Sequence, residues 1–269
     1  MPDAPIRVAF LGPAAAAGVH ALHAPAGGLE PHFFDVRPDT QALDLRTQLL
    51  HFAPHAVVAL EPSVVPPRAL DGLGAATLAV GTADGFDRVL GVPGVNAAFW
   101  RSRPLPIDDR LFADVRSSHH APRALFLGES SPHREGLLIH AKHGYDVQHY
   151  AHGLSGEALI QALAAADVGI ALNPTPEPGF PPQMPLHLAA GHLLLAERPT
   201  PSCGLEAGID YLEFDSHDGL LGLLYQVKLR PDAYDLVRVR GRLKAEEHRA
   251  SRVWPRIVGD LLVDVAAFG

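Results

Sequence analysis

The sequence predicts an α/β fold in two halves, each a mostly parallel sheet covered by helices. Three observations lead there. Short apolar runs alternate with stretches of helical spacing along the chain. The alternation pauses across a linker-like segment, Pro104 to Phe112, and a polar stretch, Arg116 to Pro122, and restarts at Arg123. From Asp167 to Arg198 the residues DVGIALNPTPEPGFPPQMPLHLAAGHLLLAER read strand, loop, helix, strand in one short stretch.

A chain of 269 residues accommodates two α/β domains. With 47% hydrophobic and 19% charged residues it is globular rather than disordered. The formal net charge of -8 argues against broad nucleic-acid binding through phosphate neutralisation, so no nucleic-acid partner is expected. The single Cys203 excludes an intramolecular disulfide and a cysteine-rich metal site. Val8 to Val19 is apolar like a secretory core, but Asp3 precedes it and Gly12-Pro13 interrupts it, so a buried strand is expected instead. No run approaches the ~18 apolar residues of a transmembrane helix. A cytoplasmic protein with no transmembrane segment is the expectation.

In the first half, Ile6 to Leu11 reads as a strand, followed by a loop and a helix. His32 to Val36 is a second strand. Thr40 to Phe52 has helical spacing through Leu43, Leu45, Leu49 and Leu50, with Asp39 as its cap. Ala56 to Leu60 and Thr77 to Val80 are strands with a short helix, Pro66 to Leu73, between them. Val89 to Val92 and Val95 to Trp100 are further short strands.

In the second half, Arg123 to Leu127 is a strand ending at Gly128-Glu129-Ser130-Ser131. Arg134 to His143 is a helix and Val147 to Tyr150 a strand. Ser155 to Ala166 is a helix with Ser155 at its cap and Glu157 in its first turn. Val168 to Leu172 is a buried strand, and Asn173 to Pro182 a loop stiffened by prolines. Met184 to Ala190 is a helix stopped by Gly191, and Leu193 to Ala196 the next strand. Strand Tyr211 to Phe214, helix Gly219 to Leu229 and a helical tail from Tyr234, with a kink or restart at Pro255, complete the chain. The expected division is 1–116 and 117–269.

Ligands of open α/β sheets sit at the carboxyl ends of strands, against helix N-termini. Gly128, Ser130 and Ser131 follow a strand and precede a helix, so their amides suit a diphosphate; an ordinary cap and turn is the alternative. Arg134, a cation in a helix's first turn, is unfavourable there unless an anion is near. His152 follows the next strand and suits a base pocket or plain surface. Asn173 and Glu177 lie in the proline-rich loop. His20 and His23 share a face if the segment is helical, and surface histidines are the alternative in a chain with 16 His. His119-His120 and the other histidines lack metal-ligand spacing, so no metal is expected. Asp108-Asp109 reads as solvated linker. Gly12 to Gly18 reads as a glycine-bounded loop without the spacing of a dinucleotide fingerprint, and Ser63, Ser130 and Ser202 lack a nucleophile elbow.

From Arg123 to Leu262 the chain resembles the C-terminal domain of the group 1 glycosyltransferases, close to the spore-maturation-type branch. The segments RALFLGESSPHREGLLIHAKHGYDVQHYAHGLSGEALIQALAAADVGIALNP, AAGHLLLAE, YLEFDSHDGLLGLLYQV and AEEHRASRVWPRIVGDLL carry the resemblance in order, and PLPIDDRLF is similar to the family's interdomain linker. The resemblance implies a GT-B fold, two Rossmann-like domains facing across a cleft, with the terminal helix 256–268 crossing back to the first. It implies transfer of a sugar from a nucleotide diphosphate sugar to an acceptor that the residues do not identify, without a bound metal or other cofactor. The family's acid-Gly-Phe pattern falls on Glu177, Gly179 and Phe180, with Pro178 interrupting it. It implies a role for Glu177 in catalysis, for His20 as an acceptor-side base, and for Gly128, Ser130, Ser131, Arg134, His152, Asn173, Gly179 and Phe180 in donor binding. The acid that usually binds the nucleotide ribose, on the helix after that loop, is Leu186 here, and Leu cannot accept a hydroxyl. A non-catalytic scaffold of the same fold, a binding or partner protein, is the alternative function.

Overall fold

A computed structural model describes residues 4–81, 84–93, 99–115, 122–152 and 154–268. Packing divides the chain into two units. One comprises Met1–Val92, Asn96–Asp109 and His248–Gly269, the other Pro93–Val95 and Arg110–Glu247.

In the first unit, β1 (Ile6–Gly12), β2 (Leu29–Asp35), β3 (Ala56–Ala59), β4 (Ala76–Val80), β5 (Arg88–Gly91) and β6 (Arg101–Ser102) form one sheet in the order β2-β1-β3-β4-β5-β6. Every pairing is parallel. β3 and β4 are buried at every position, which is why they read as unbroken apolar runs. Helices α1 (Ala14–His20) and α2 (Ala42–Phe52) connect the first three strands.

The last helix, α8 (Ala250–Phe268), belongs to this unit. Its Trp254, Ile257, Val258 and Leu261 are buried with Val8, Phe10 and Leu78. Trp254 meets Phe10 edge-on at 5.1 Å and donates its indole N–H to the carbonyl of His20 at 2.7 Å. The helix runs through Pro255 without ending. Gly27, at φ +57, lets the chain pass close to Pro255, where a Cβ would stand 2.6 Å from the ring.

Several local expectations are corrected. The segment 66–73 is a run of turns, because Arg68 and Gly72 take left-handed φ values of 66 and 69. Helix α1 begins at Ala14, so Gly18 is helical rather than the end of a loop, and His23 lies beyond the helix that ends at His20. Gln41, not Asp39, holds the cap position of α2, with no side-chain bond. The strand expected at Val95 to Trp100 falls mostly outside the described residues, and the last strand is instead β6. His119-His120 also falls outside them.

Asp108 and Asp109 are not solvated linker. Asp108 is 2% exposed and lies 3.3 Å from His23. Asp109 accepts from the backbone N–H of Ser251 at 2.9 Å and from its hydroxyl at 2.6 Å, a carboxylate set at the start of α8. The backbones of Ile107, His248 and Ala250 are bonded to one another as well. These bonds draw the segment up to Asp109 into the first unit, so the division falls there rather than near residue 116.

In the second unit, β7 (Ala124–Leu127), β8 (Val147–Tyr150), β9 (Val168–Ala171), β10 (Leu193–Glu197) and β11 (Leu212–Phe214) form a parallel sheet in the order β11-β10-β9-β7-β8. The helices are α3 (Pro132–Gly144), α4 (Gly156–Ala164), α5 (Met184–Ala189), α6 (His217–Leu229) and α7 (Asp235–Lys244). Its core gathers Phe126, Leu138, Ile170, Leu195, Leu220 and Val227. Ser155 takes the cap position of α4 without a side-chain bond, whereas Ser131 and Ser216 cap α3 and α6 with their hydroxyls.

Candidate functional site

The chain leaves β7 for β8 on one side and returns to β9 on the other. The order reverses between β7 and β9, and a crevice outside the carboxyl ends of strands is expected at such a point. The loop after β7 carries Gly128 to Ser131, and the loop after β9 carries Asn173 to Pro182.

Two side chains lock these loops together. Ser131 accepts the backbone N–H of Arg134 and donates its hydroxyl to the carbonyl of Pro174 at 2.6 Å. Arg134, 6% exposed, donates to the carbonyls of Glu129, Leu172 and Asn173 at 2.9, 3.1 and 3.1 Å. Burial pushes its pKa below the ordinary guanidinium value, against the pull of Glu129 and Glu197. The backbone carbonyls, partial negative charges, stand where the helix start alone would leave the cation unsupported. Gly128, at φ +150, brings the chain close to this guanidinium; a Cβ there would lie 3.0 Å from the Gln183 amide and 3.3 Å from Arg134 Nη1.

A second network supports Gly128 from below. Its carbonyl lies 2.7 Å from Nε2 of His149, whose Nδ1 is 2.9 Å from Lys142 Nζ. Lys142 pairs with Glu135, which also accepts from Ser130 at 2.8 Å. The Lys142 and Ser130 hydrogen bonds hold the Glu135 carboxyl below its usual pKa.

Beyond the second loop, at the carboxyl ends of β9, β10 and β11, lies a pocket of about 530 Å³. Asn173, Glu197, Arg198, Glu213 and Asp215 line it, with Pro176 and Pro178 from the loop and Gly219 from the first turn of α6. Glu197 sits between the pocket and α3: one oxygen lies 2.8 Å from His133 Nε2, the other accepts the backbone N–H of Asn173 at 2.7 Å. Arg198 donates to Glu213, which also accepts the Tyr211 hydroxyl at 3.0 Å. The Arg198 bond lowers the pKa of Glu213, and burial raises that of Tyr211.

The sequence candidates fall into place unevenly. Gly128, Ser130, Ser131, Arg134 and Asn173 gather around the reversal. Gly179 lies against the Asn173 carboxamide, and its carbonyl accepts from Thr200. Phe180 and Leu186 are core side chains, each 6% exposed. Glu177 is exposed, and hydrogen bonds from Thr175 and its own backbone hold its carboxyl below the usual pKa; the pocket wall is made by its proline neighbours. His152 is exposed on the surface. His20, in the first unit, bonds through Nδ1 to the carbonyl of Pro106 at 2.8 Å, and burial lowers its pKa.

No protein-family model and no curated protein matches the chain in sequence. Solved structures do match it along its length. AviGT4, a glycosyltransferase involved in avilamycin A biosynthesis, is similar with a TM-score of 0.59 at 14% identity, over 98% of this chain and 99% of that one. Anabaena HepE, solved with UDP-glucose, is similar at 0.59 and 9% identity over 96% and 99%. Sucrose-phosphate synthase from Thermosynechococcus elongatus is similar at 0.58 and 11% identity over 98% and 100%.

The fold is that of the GT-B glycosyltransferases. Within it, sequence reasoning missed Glu197, Glu213, Asp215 and His133. The signal available was position: Glu197-Arg198 are the first charged residues after a buried run, and Asp215 directly follows the last residue of β11, where a strand's carboxyl end meets solvent. Among the described residues, no cluster of three or more His, Cys, Asp or Glu is placed to hold a metal, and no helix is long and apolar enough to cross a membrane.

Proposed function

We propose that this protein transfers a glycosyl group from a nucleotide diphosphate sugar to an acceptor, near the spore-maturation-type branch of the group 1 glycosyltransferases, in the cytoplasm. The observation that carries the reading is the pocket beside the reversal of the second sheet, in a fold shared end to end with glycosyltransferases. The diphosphate lies at the start of α3, against the amides of Gly128 to Ser131, where the helix N-terminus offers positive potential. Arg134 holds those amides in place and adds its charge.

In the reaction the bond between the anomeric carbon and the diphosphate oxygen breaks, and the bond to the acceptor oxygen forms. The nucleoside diphosphate leaves with the electron pair. The acceptor's proton passes to a base, for which His20 is suited: Nδ1 donates to Pro106, so Nε2 of the neutral ring is free of its proton. Glu177 supports positive charge developing at the anomeric carbon. The diphosphate is balanced by protein groups, without a metal.

Leu186 favours a second reading, a scaffold of this fold that binds without turnover, because the resemblance implies an acid at this position and Leu186 is a buried apolar side chain. Incubation with UDP-glucose, GDP-mannose and ADP-glucose separates the two. Release of nucleoside diphosphate, even by slow hydrolysis, supports the transferase; binding without release supports the scaffold.

A further inference from the structure

The lining of the pocket limits what can enter it. Glu197, Glu213 and Asp215 are carboxylates, and Arg198, the one lining cation among the described residues, is already bonded to Glu213. A diphosphate placed among them meets like charge. A hydroxyl meets acceptors.

Glu197 is the best placed acceptor. Each of its oxygens takes one hydrogen bond, from His133 and from the Asn173 backbone, and a carboxylate oxygen accepts two. Each oxygen is held by a different neighbour and keeps accepting capacity, which suits two adjacent hydroxyls. The second observation is Asn173. It is 5% exposed and lines the same pocket, yet its carboxamide oxygen has no hydrogen-bond partner. Such buried amides are normally satisfied, so this oxygen is hydrogen-bonding capacity that the fold leaves open beside the pocket.

We propose that Glu197, with the Asn173 side chain, binds a vicinal diol of the donor, so that the uncharged polyol part of the nucleotide sugar enters the pocket and the diphosphate stays on the α3 side of the His133–Glu197 pair. This rests on the donor-binding reading above and assigns to β10 a hydroxyl-binding acid that α5, carrying Leu186, lacks. The diol belongs either to the ribose or to the transferred sugar.

The test is calorimetry on the full chain with UDP-glucose, UDP and 2′,3′-dideoxy-UDP, comparing wild type with Glu197→Gln, Glu197→Ala and Asn173→Ala. Asn173→Ala keeps every backbone bond, so it reports even if the Glu197 variants fail to fold. Both positions should lose at least tenfold in affinity for UDP-glucose. If the ribose supplies the diol, UDP binding falls equally and the dideoxy nucleotide binds all forms alike. If the hexose supplies it, UDP binding is unchanged and only UDP-glucose suffers. Folded variants that bind UDP-glucose as wild type does overturn the assignment and leave the donor site standing. A wild type that binds none of the three, nor GDP-mannose or ADP-glucose, overturns both.

Discussion

His133 and Glu197 meet at 2.8 Å between the first turn of α3 and the end of β10. Their side chains are 20% and 15% exposed, so the pair is only lightly screened by water. It joins two places that do different work in the proposed site: the helix start that suits a diphosphate and the acid-lined pocket that suits hydroxyls.

Arg134 is as much a brace as a cation. Removing it leaves three backbone carbonyls without their donor, two of them from its buried bonds to Leu172 and Asn173. Arg134→Ala should therefore destabilise the fold by about 3 kcal/mol or more in urea unfolding, since each hydrogen bond to a charged group contributes roughly 1.5–3 kcal/mol. Arg134→Lys cannot span all three carbonyls and should recover only part of the loss. An alanine variant as stable as wild type contradicts the brace.

Stability should fall as pH drops below neutrality. His187 and His192 are buried with their Nδ1 atoms 3.0 Å apart, and His192 Nε2 lies 2.8 Å from the carbonyl of Leu163. Burial, reinforced by His192, pushes the His187 pKa well below its ordinary value, and burial lowers that of His20. Both are neutral in the fold, while in the unfolded chain they take up protons at about pH 6.5. The unfolded state then binds more protons, so stability is full above about pH 6.5 and declines as the pH falls toward the lowered folded values. Unfolding in urea at pH 7.5 and 5.5 measures this, and replacing both His187 and His192 by Leu should flatten part of the slope. Equal or greater stability at pH 5.5 is the contrary result.

Trp254 anchors α8 to the first sheet. It is fully buried, edge-on to Phe10, and bonded to the carbonyl of His20. Trp254→Ala should cost about 3–5 kcal/mol, the range for deleting a large buried aromatic. Trp254→Phe should cost less but leave that carbonyl without its donor. Thermal melts of the two variants check the order.

Glu177 is expected to act in turnover rather than in folding. It is exposed, and Glu177→Gln keeps its shape, so melting should not change while release of nucleoside diphosphate slows at least tenfold. A variant as fast as wild type removes Glu177 from the mechanism.

The strands were the most legible part of the chain. β3, β4 and β9 are buried on both faces, and their continuous apolar runs say so. β6 was invisible because Arg101-Ser102 is exposed and carries no apolar signal. The false helix at 66–73 had apolar residues at helical spacing, but spacing does not register the left-handed turns at Arg68 and Gly72. Asp108 looked solvated because the His23 that faces it is distant in sequence. The same limit hid Glu197, whose meaning depends on His133 and Asn173. Ser131 and Arg134 were legible as residues of a helix start. Their bonds across to the second loop were not, because only the crossing between β7 and β9 makes those loops neighbours.

The central claim is that the second unit holds a nucleotide diphosphate sugar at the carboxyl ends of its strands. The most direct measurement is the melting temperature of the full chain with UDP-glucose, GDP-mannose or ADP-glucose, backed by calorimetry on the nucleotide that shifts it. A ligand at a hundred times its Kd stabilises by about 2.7 kcal/mol, so at least one should raise the melting temperature by several degrees. Binding should be lost when Gly128 is replaced by Val, whose branched side chain would fill the space beside Gln183 and Arg134. No shift and no heat of binding with any of the three contradicts the account.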